Sequence, residues 1–325
     1  MREPLPILFC NVMWYLTKPH CKFLMKWKRS MVLRHMEKEL KPVLDKYKDL
    51  EYKLPEAPSV PKRVWLLWYS PDNRTEMVDL YLRRIESSLG SLGFEVSILD
   101  KDTLWDYVDM SDIQPYYEQG AIRIQHYADI LRMRLLRKYG GFWVDATYAV
   151  LDPSVFLDIV RDVPFCSLRE KTRHPWRLAM AGRWAPSFWA TCPANPFFRY
   201  VDEAMTYYLK KHGGFFEYFQ MDYSIAVGYR HVGFIRYELD TLLEYYPEEV
   251  KDLELRFYLN EPFDEAKFEE IKRDFPLQKT THKHFVPVME KDGKETFYAH
   301  LVHLWSGGGV APLTRYEAFT ERGAA

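Results

Sequence analysis

The chain has 325 residues, 47% of them hydrophobic and 16% aromatic, with only 15 glycines and 20 prolines. So much apolar material excludes a disordered, collagen-like or disulfide-stapled chain and supplies the core of one large domain or two modest ones. The 45 basic and 46 acidic residues leave a net charge of -1, which excludes a molecule-wide electrostatic trap for nucleic acid.

That charge is unevenly spread. Residues 1–48 hold eleven Lys or Arg and four Asp or Glu, a surplus of seven positive charges. The apolar run over 5–16 is too short to span a bilayer and makes a poor signal peptide, having no small-residue cleavage site before Lys18. Over 18–49, Phe23, Trp27, Met31 and Leu33 are interleaved with Lys22, Lys26, Lys28, Arg29 and Arg34, which predicts one or two amphipathic helices with a basic face. Such helices either anchor on anionic lipid or pack on the main domain with the charged face in water, and the second is the commoner outcome. Cys10, Cys21, Cys166 and Cys192 show no C-x-x-C pairing, which argues against a zinc ribbon or an exported disulfide framework and for a reducing cytoplasm. A peripheral position at the inner face of the membrane, through residues 1–48, stays open.

Pro55, Pro58 and Pro61 mark a linker, so the chain divides into a basic helical extension, 1–55, and a main domain, 56–325. Residues 64–69 form a short continuous apolar run, as expected of a strand buried on both faces of a parallel sheet. Helical spacing over 74–89 stops at Gly90, and 94–99 reads as the next strand, completing a crossover unit. The clearest helix is predicted over 122–139, with Ile124, Ala128, Leu131 and Leu135 on one stripe. Gly140-Gly141 ends it, and 142–147 reads as a strand. This half is α/β with a mostly parallel sheet. Beyond 150 the pattern weakens to helices over 201–211 and 217–229, a strand over 296–305 by alternation, and a glycine loop over 306–309.

The common phosphate-binding loops, G-x-x-x-x-G-K-[ST] and G-x-G-x-x-G, are absent. Asp129 and Arg132 are three apart on a helix and share a face, so they either form a surface ion pair or grip a ligand together. Strand alternation sets Trp143, Asp145 and Thr147 on one side, with Asp145 near the carboxyl end, where ligand crevices of open α/β sheets lie. A carboxylate there accepts hydrogen bonds from ribose or sugar hydroxyls, or helps hold a divalent ion that bridges phosphates.

The run Ala128-Asp129-x-x-Arg132, then Gly140-Gly141-x-Trp143-x-Asp145-Ala146-Thr147, strongly resembles the capsular polysaccharide synthesis proteins. They sit within the wider group of glycosyltransferases with a DXD sugar-binding motif, which includes yeast mannosyltransferases and clostridial glucosylating toxins. The resemblance extends to Pro61-Lys62-Arg63-Val64-Trp65 with Trp68, and loosely to Asn195-Pro196-Phe197-Phe198 and Tyr218-Phe219-Gln220-Met221-Asp222-Tyr223. It covers most of 60–230 and leaves the first 55 residues outside.

What the resemblance implies is a GT-A fold, a nucleotide-diphosphate sugar donor with UDP-sugar favoured, a saccharide acceptor in capsular or other cell-surface polysaccharide synthesis, and transfer with retention of configuration. By motif position Asp129 and Arg132 hydrogen-bond the donor sugar, Asp145 contacts ribose or sugar beside a metal, and Trp65 or Trp68 stacks on the base. Thr147 stands where the wider group has the second, metal-ligating acid. A hydroxyl is a poor replacement for a carboxylate on Mg²⁺ or Mn²⁺, and since the capsular branch resembles this chain in having D-A-T, the divalent metal stays open.

By looser analogy, His303 is a second metal candidate and Trp305 and Ser306 are candidates for the diphosphate, while Asp222 is a candidate catalytic carboxylate on the second side of the sugar. His282-Lys283-His284 has metal-like spacing and reads as a solvated loop. Two competing readings remain: a catalytically inactive glycan- or membrane-binding relic of the same fold, and an inverting transferase.

Overall fold

The computed structural model describes residues 22–53, 60–169, 180, 182–241, 254–280 and 286–306. The apolar run over 5–16, the linker prolines Pro55 and Pro58, the 282–284 triplet and the glycines after Ser306 lie outside them.

The central five-stranded sheet has the order β2-β1-β3-β6-β5, built from β1 (Arg63–Leu67), β2 (Glu95–Leu99), β3 (Gly141–Val144), β5 (Phe165–Ser167) and β6 (Phe188–Thr191). β1 runs parallel to both β2 and β3, and β6 is antiparallel to β3 and to β5. Four strands therefore point one way and β6 alone opposes them, a mixed α/β architecture with a mostly parallel sheet.

Alternation along each strand divides the core in two. Trp65 pairs in register with Trp143, and Trp143 with Trp189, so three fully buried indoles line up across one face. That face is covered by α5 (Ile124–Tyr139), α7 (Pro196–His212), α8 (Gln220–His231) and α9 (Gly233–Asp240). Val64, Leu66, Phe142, Val144 and Phe188 point the other way, onto α3 (Glu76–Ser91) and α6 (Ser154–Asp162). Helices on both faces explain why the strands read as unbroken apolar runs.

The two N-terminal helices, α1 (Lys22–Glu39) and α2 (Lys41–Tyr47), dock on the main body. Val32, Leu33, Met36, Leu40 and Leu44 are buried in the same apolar cluster as α7 and α8. Their outer stripe, Phe23, Lys26, Trp27, Ser30, Arg34 and Lys38, is exposed. No helix among the described residues is long and apolar enough to cross a membrane.

Two local expectations are corrected. The strand predicted over 142–147 stops at Val144; a turn follows, and the chain re-enters as β4 (Tyr148–Val150) in a separate antiparallel pair with β7 (Leu277–Lys279). The strand predicted over 296–305 is a helix, α11 (Phe297–Trp305). Thr296 caps it by accepting from the Ala299 N–H at 3.1 Å, and Phe297 and Leu301, four apart, are its buried face in a third cluster with Phe268 and Ile271. A run this apolar fits either periodicity, and the side that packs decides.

Candidate active site

Half of α5 is buried, because it lies between the sheet and α7. Its charged residues therefore need partners. Arg134 pairs with Asp112 at 2.7 Å and Asp202 at 3.1 Å, away from the cleft. Arg132 instead turns to the carboxyl ends of β1 and β3. The hand-over from helix to strand is made by glycine: Gly140 ends α5 at φ +64°, and a Cβ there would lie 2.7 Å from the Pro193 nitrogen. No other residue tolerates both the conformation and the space. The Gly140 carbonyl accepts from the Trp65 indole at 3.0 Å, tying this corner to β1.

One residue beyond β3, Asp145 meets the α5 pair. The Arg132 guanidinium lies 3.1 Å from Asp129 Oδ1 and 3.7 Å from Asp145 Oδ1, stacks over Trp143 with its carbon 4.9 Å from the ring centre, and donates to the Pro186 carbonyl. Its buried Nε has no acceptor among the described residues. Asp145 accepts from Trp143 Nε1 at 2.9 Å on Oδ1 and from Lys279 Nζ at 2.7 Å on Oδ2. Asp129, Arg132 and Asp145, far from a surface ion pair, converge on a cleft of about 830 Å³.

Environment divides the two carboxylates. Burial pushes the Asp129 carboxyl up to about 6, only partly opposed by Arg132 and reinforced by the negative charge of Asp145. Burial acts on Asp145 in the same direction, but Lys279 and Arg132 together outweigh it and hold this group below its ordinary value. Two acids a few ångströms apart, pushed in opposite directions, are characteristic of working sites.

The remaining expected residues fall into two sets. Trp68, Thr147 and Asp222 line the cleft. Trp68 Nε1 donates to Asn73 Oδ1 at 2.9 Å, and Asp222, in the first turn of α8, accepts from Trp184 Nε1 at 2.9 Å. Thr147 is buried, with its carbonyl accepting from both the N–H and the hydroxyl of Thr280.

Trp65, His303, Trp305 and Ser306 are not in the cleft wall. Trp65 is a core residue packed on Tyr107 and Tyr139, since alternation along β1 turns it under the sheet. On the helix that replaces the expected strand, His303 is exposed and its Nδ1 lies 2.7 Å from Glu295. Trp305 packs edge-on against Tyr81 and beneath Arg84, and Ser306 closes the last turn onto the Val302 carbonyl at 2.9 Å.

Lys279 was not foreseen. It is 134 residues from Asp145, and nothing local to the sequence 277–280 marks it. The pairing of β4 with β7, which sets Tyr148 opposite Lys279, brings it in.

Among the described residues, the candidate ligands are not arranged as a Mg²⁺ or Mn²⁺ site. Among the described residues no three His, Cys, Asp or Glu side chains converge on a common point. Asp145 has no second acid beside it at Thr147, both its oxygens are held by protein donors, and His303 is engaged elsewhere. Such an ion needs one or two carboxylates beside a substrate's phosphates and water, and here the carboxylate at the motif position already holds a cation, Lys279.

Compared with known proteins, the chain matches the family model described as capsular polysaccharide synthesis protein over residues 14–301. The match takes in both N-terminal helices, which the reading of motifs alone left outside. No curated protein matches. Among solved structures, one titled PaToxG Glycosyltransferase aligns with 14% identity and a TM-score of 0.38, covering 76% of this chain and 93% of that one.

Proposed function

Because the chain belongs to the capsular polysaccharide synthesis protein family, we propose that it is a glycosyltransferase of GT-A type. It moves a sugar, of hexosyl type, from a nucleotide-diphosphate donor, UDP-sugar foremost, to a saccharide acceptor in cell-surface polysaccharide assembly. One observation carries the reading: Asp129, Arg132 and Asp145 meet at the carboxyl ends of β1 and β3, inside a cleft large enough for such a donor.

The chemistry suits the residues. Ionised Asp129 and Asp145 accept hydrogen bonds from sugar and ribose hydroxyls, and the Arg132 guanidinium between them is a donor on the same cleft wall. The half-buried ring of Trp68 and the exposed ring of Tyr218 on the cleft wall offer flat faces to a base or a sugar. Breaking the bond from the anomeric carbon builds negative charge on the departing diphosphate and positive charge on the sugar, which fixed donors and carboxylates stabilise respectively. Retention of configuration is part of the proposal: in a front-face substitution the departing phosphate oxygen takes the acceptor proton, and no separate base is needed. Asp222 supplies a carboxylate from α8 on the cleft wall. The exposed basic and aromatic stripe of α1 is proposed as a peripheral contact with anionic membrane.

The test is release of nucleoside diphosphate from a panel of UDP- and GDP-sugars. Wild type is expected to turn over at least one donor, and Asp145→Asn to lower kcat about 10²-fold or more, the usual scale for removing a group that contacts the reacting sugar. Product stereochemistry by NMR then separates retention from inversion. Release from no donor would remove the enzymatic reading in favour of a binding relic.

A further inference from the structure

Taking the proposed transfer as its basis, the geometry points to Lys279 as the residue that neutralises the departing diphosphate, in place of a divalent cation. Four observations lead there. The charge at the end of β3 is already balanced: Asp129 and Asp145 face Arg132 and Lys279. A metal ion on Asp145 would be set against the positive charge of the Lys279 ammonium, which sits 2.7 Å from its Oδ2. The position that would carry a second acid is Thr147, whose carbonyl is occupied by two bonds from Thr280.

Finally, Lys279 is delivered by a clip of regular structure. The β4–β7 ladder pairs Leu277 with Val150, Gln278 with Ala149 and Lys279 with Tyr148. The Lys279 ammonium also lies 5.5 Å from the centre of the Tyr148 ring. Its side chain is 43% exposed and lines the same cleft as Arg132. An ammonium has three donors, and a single carboxylate oxygen takes one of them. A flexible cation that rests on Asp145 and reaches a phosphate when the donor binds performs the electrostatic part of a metal's task.

In the step itself, the bond between the anomeric carbon and the diphosphate oxygen breaks, and its electron pair leaves on that oxygen. Lys279 remains protonated and donates hydrogen bonds to the diphosphate. The acceptor oxygen forms the new bond to the anomeric carbon, and its proton passes to the departing phosphate oxygen. Lys279 gives up no proton, so its function is charge and not acid catalysis.

The experiment combines calorimetric titration of UDP and GDP with turnover of the donor found in the panel, each in excess EDTA and in MnCl₂. Wild type is expected to bind nucleoside diphosphate equally in both and to keep its turnover within about twofold. Lys279→Met is expected to weaken nucleotide binding about tenfold and to lower kcat about 10²-fold, with Lys279→Arg restoring part of both. Thermal unfolding of both variants confirms that the fold is kept.

Binding or turnover that appears only with Mn²⁺, or a Lys279→Met protein as active as wild type, overturns the assignment of Lys279 while leaving the transferase reading intact. Wild type that neither binds a nucleotide nor uses a donor in either buffer overturns that reading, and this assignment with it.

Discussion

Asp129 shows how one buried acid joins binding to pH. Its carboxyl titrates near 6 because burial disfavours the charge more than Arg132 favours it, yet only the ionised form accepts hydrogen bonds from a sugar with both oxygens. Activity should therefore fall as pH drops through about 6, up to about tenfold per unit in kcat/KM. The expected profile in Asp129→Asn has a lower plateau and no such limb; a variant that keeps the limb would place the titration elsewhere. The stability effect has the opposite sense. A carboxyl whose folded value lies above its ordinary one contributes stability that is complete below that ordinary value and is lost as pH rises through about 6. The ionised form is thus the less stable one.

α1 has one buried face and one exposed face. Val32, Leu33 and Met36 hold it to α8, while Phe23, 73% exposed, and Trp27, 37% exposed, stand beside Lys26 on the outside. Lys28 is withdrawn from that surface by Glu217 at 2.8 Å. An aromatic and basic stripe on a docked helix suits the boundary of an anionic bilayer, where rings enter the interface and ammonium groups meet headgroups. Full-length protein should float with phosphatidylserine vesicles at low salt and be released at high salt. The double change Phe23→Ser and Lys26→Glu should abolish flotation without moving Tm, since both side chains are exposed. Equal flotation of the variant and wild type would assign this stripe to water.

The N-terminal helices pack into the apolar cluster that covers one face of the central sheet. Leu40, Leu44 and Tyr47 share a cluster with Tyr200 and Val201 of α7, and Tyr47 meets Tyr200 edge-on at 5.5 Å. Deleting residues 1–53 would bare that face, at a cost of about 1.5–3 kcal/mol for each large apolar side chain lost from the core. The truncated chain is expected to be insoluble or to melt well below the full-length protein by differential scanning calorimetry. An unchanged Tm would mean that the main body folds without them.

Much of this was legible in the residues themselves. Gly140-Gly141 announced a helix end and a strand start because only glycine allows that backbone. The unbroken apolar runs announced a sheet covered on both sides. The helix expected over 201–211 is present but starts earlier, at Pro196, with Asn195 accepting from the Phe197 N–H at 2.8 Å. The pairing of Asp129 with Arg132 was legible because the two are one helical turn apart, while their place in a cleft was only implied by the resemblance. Such features depend on neighbours within a few positions of the chain, which is the range that backbone sterics and side-chain periodicity reach. Lys279 beside Asp145, Trp65 beneath the sheet while Trp68 faces the cleft, and the helix that carries His303 away depended on which distant surfaces pack together. Those contacts join residues up to 134 positions apart, and they arise from the burial of apolar faces and the pairing of β4 with β7, which no short stretch of sequence contains.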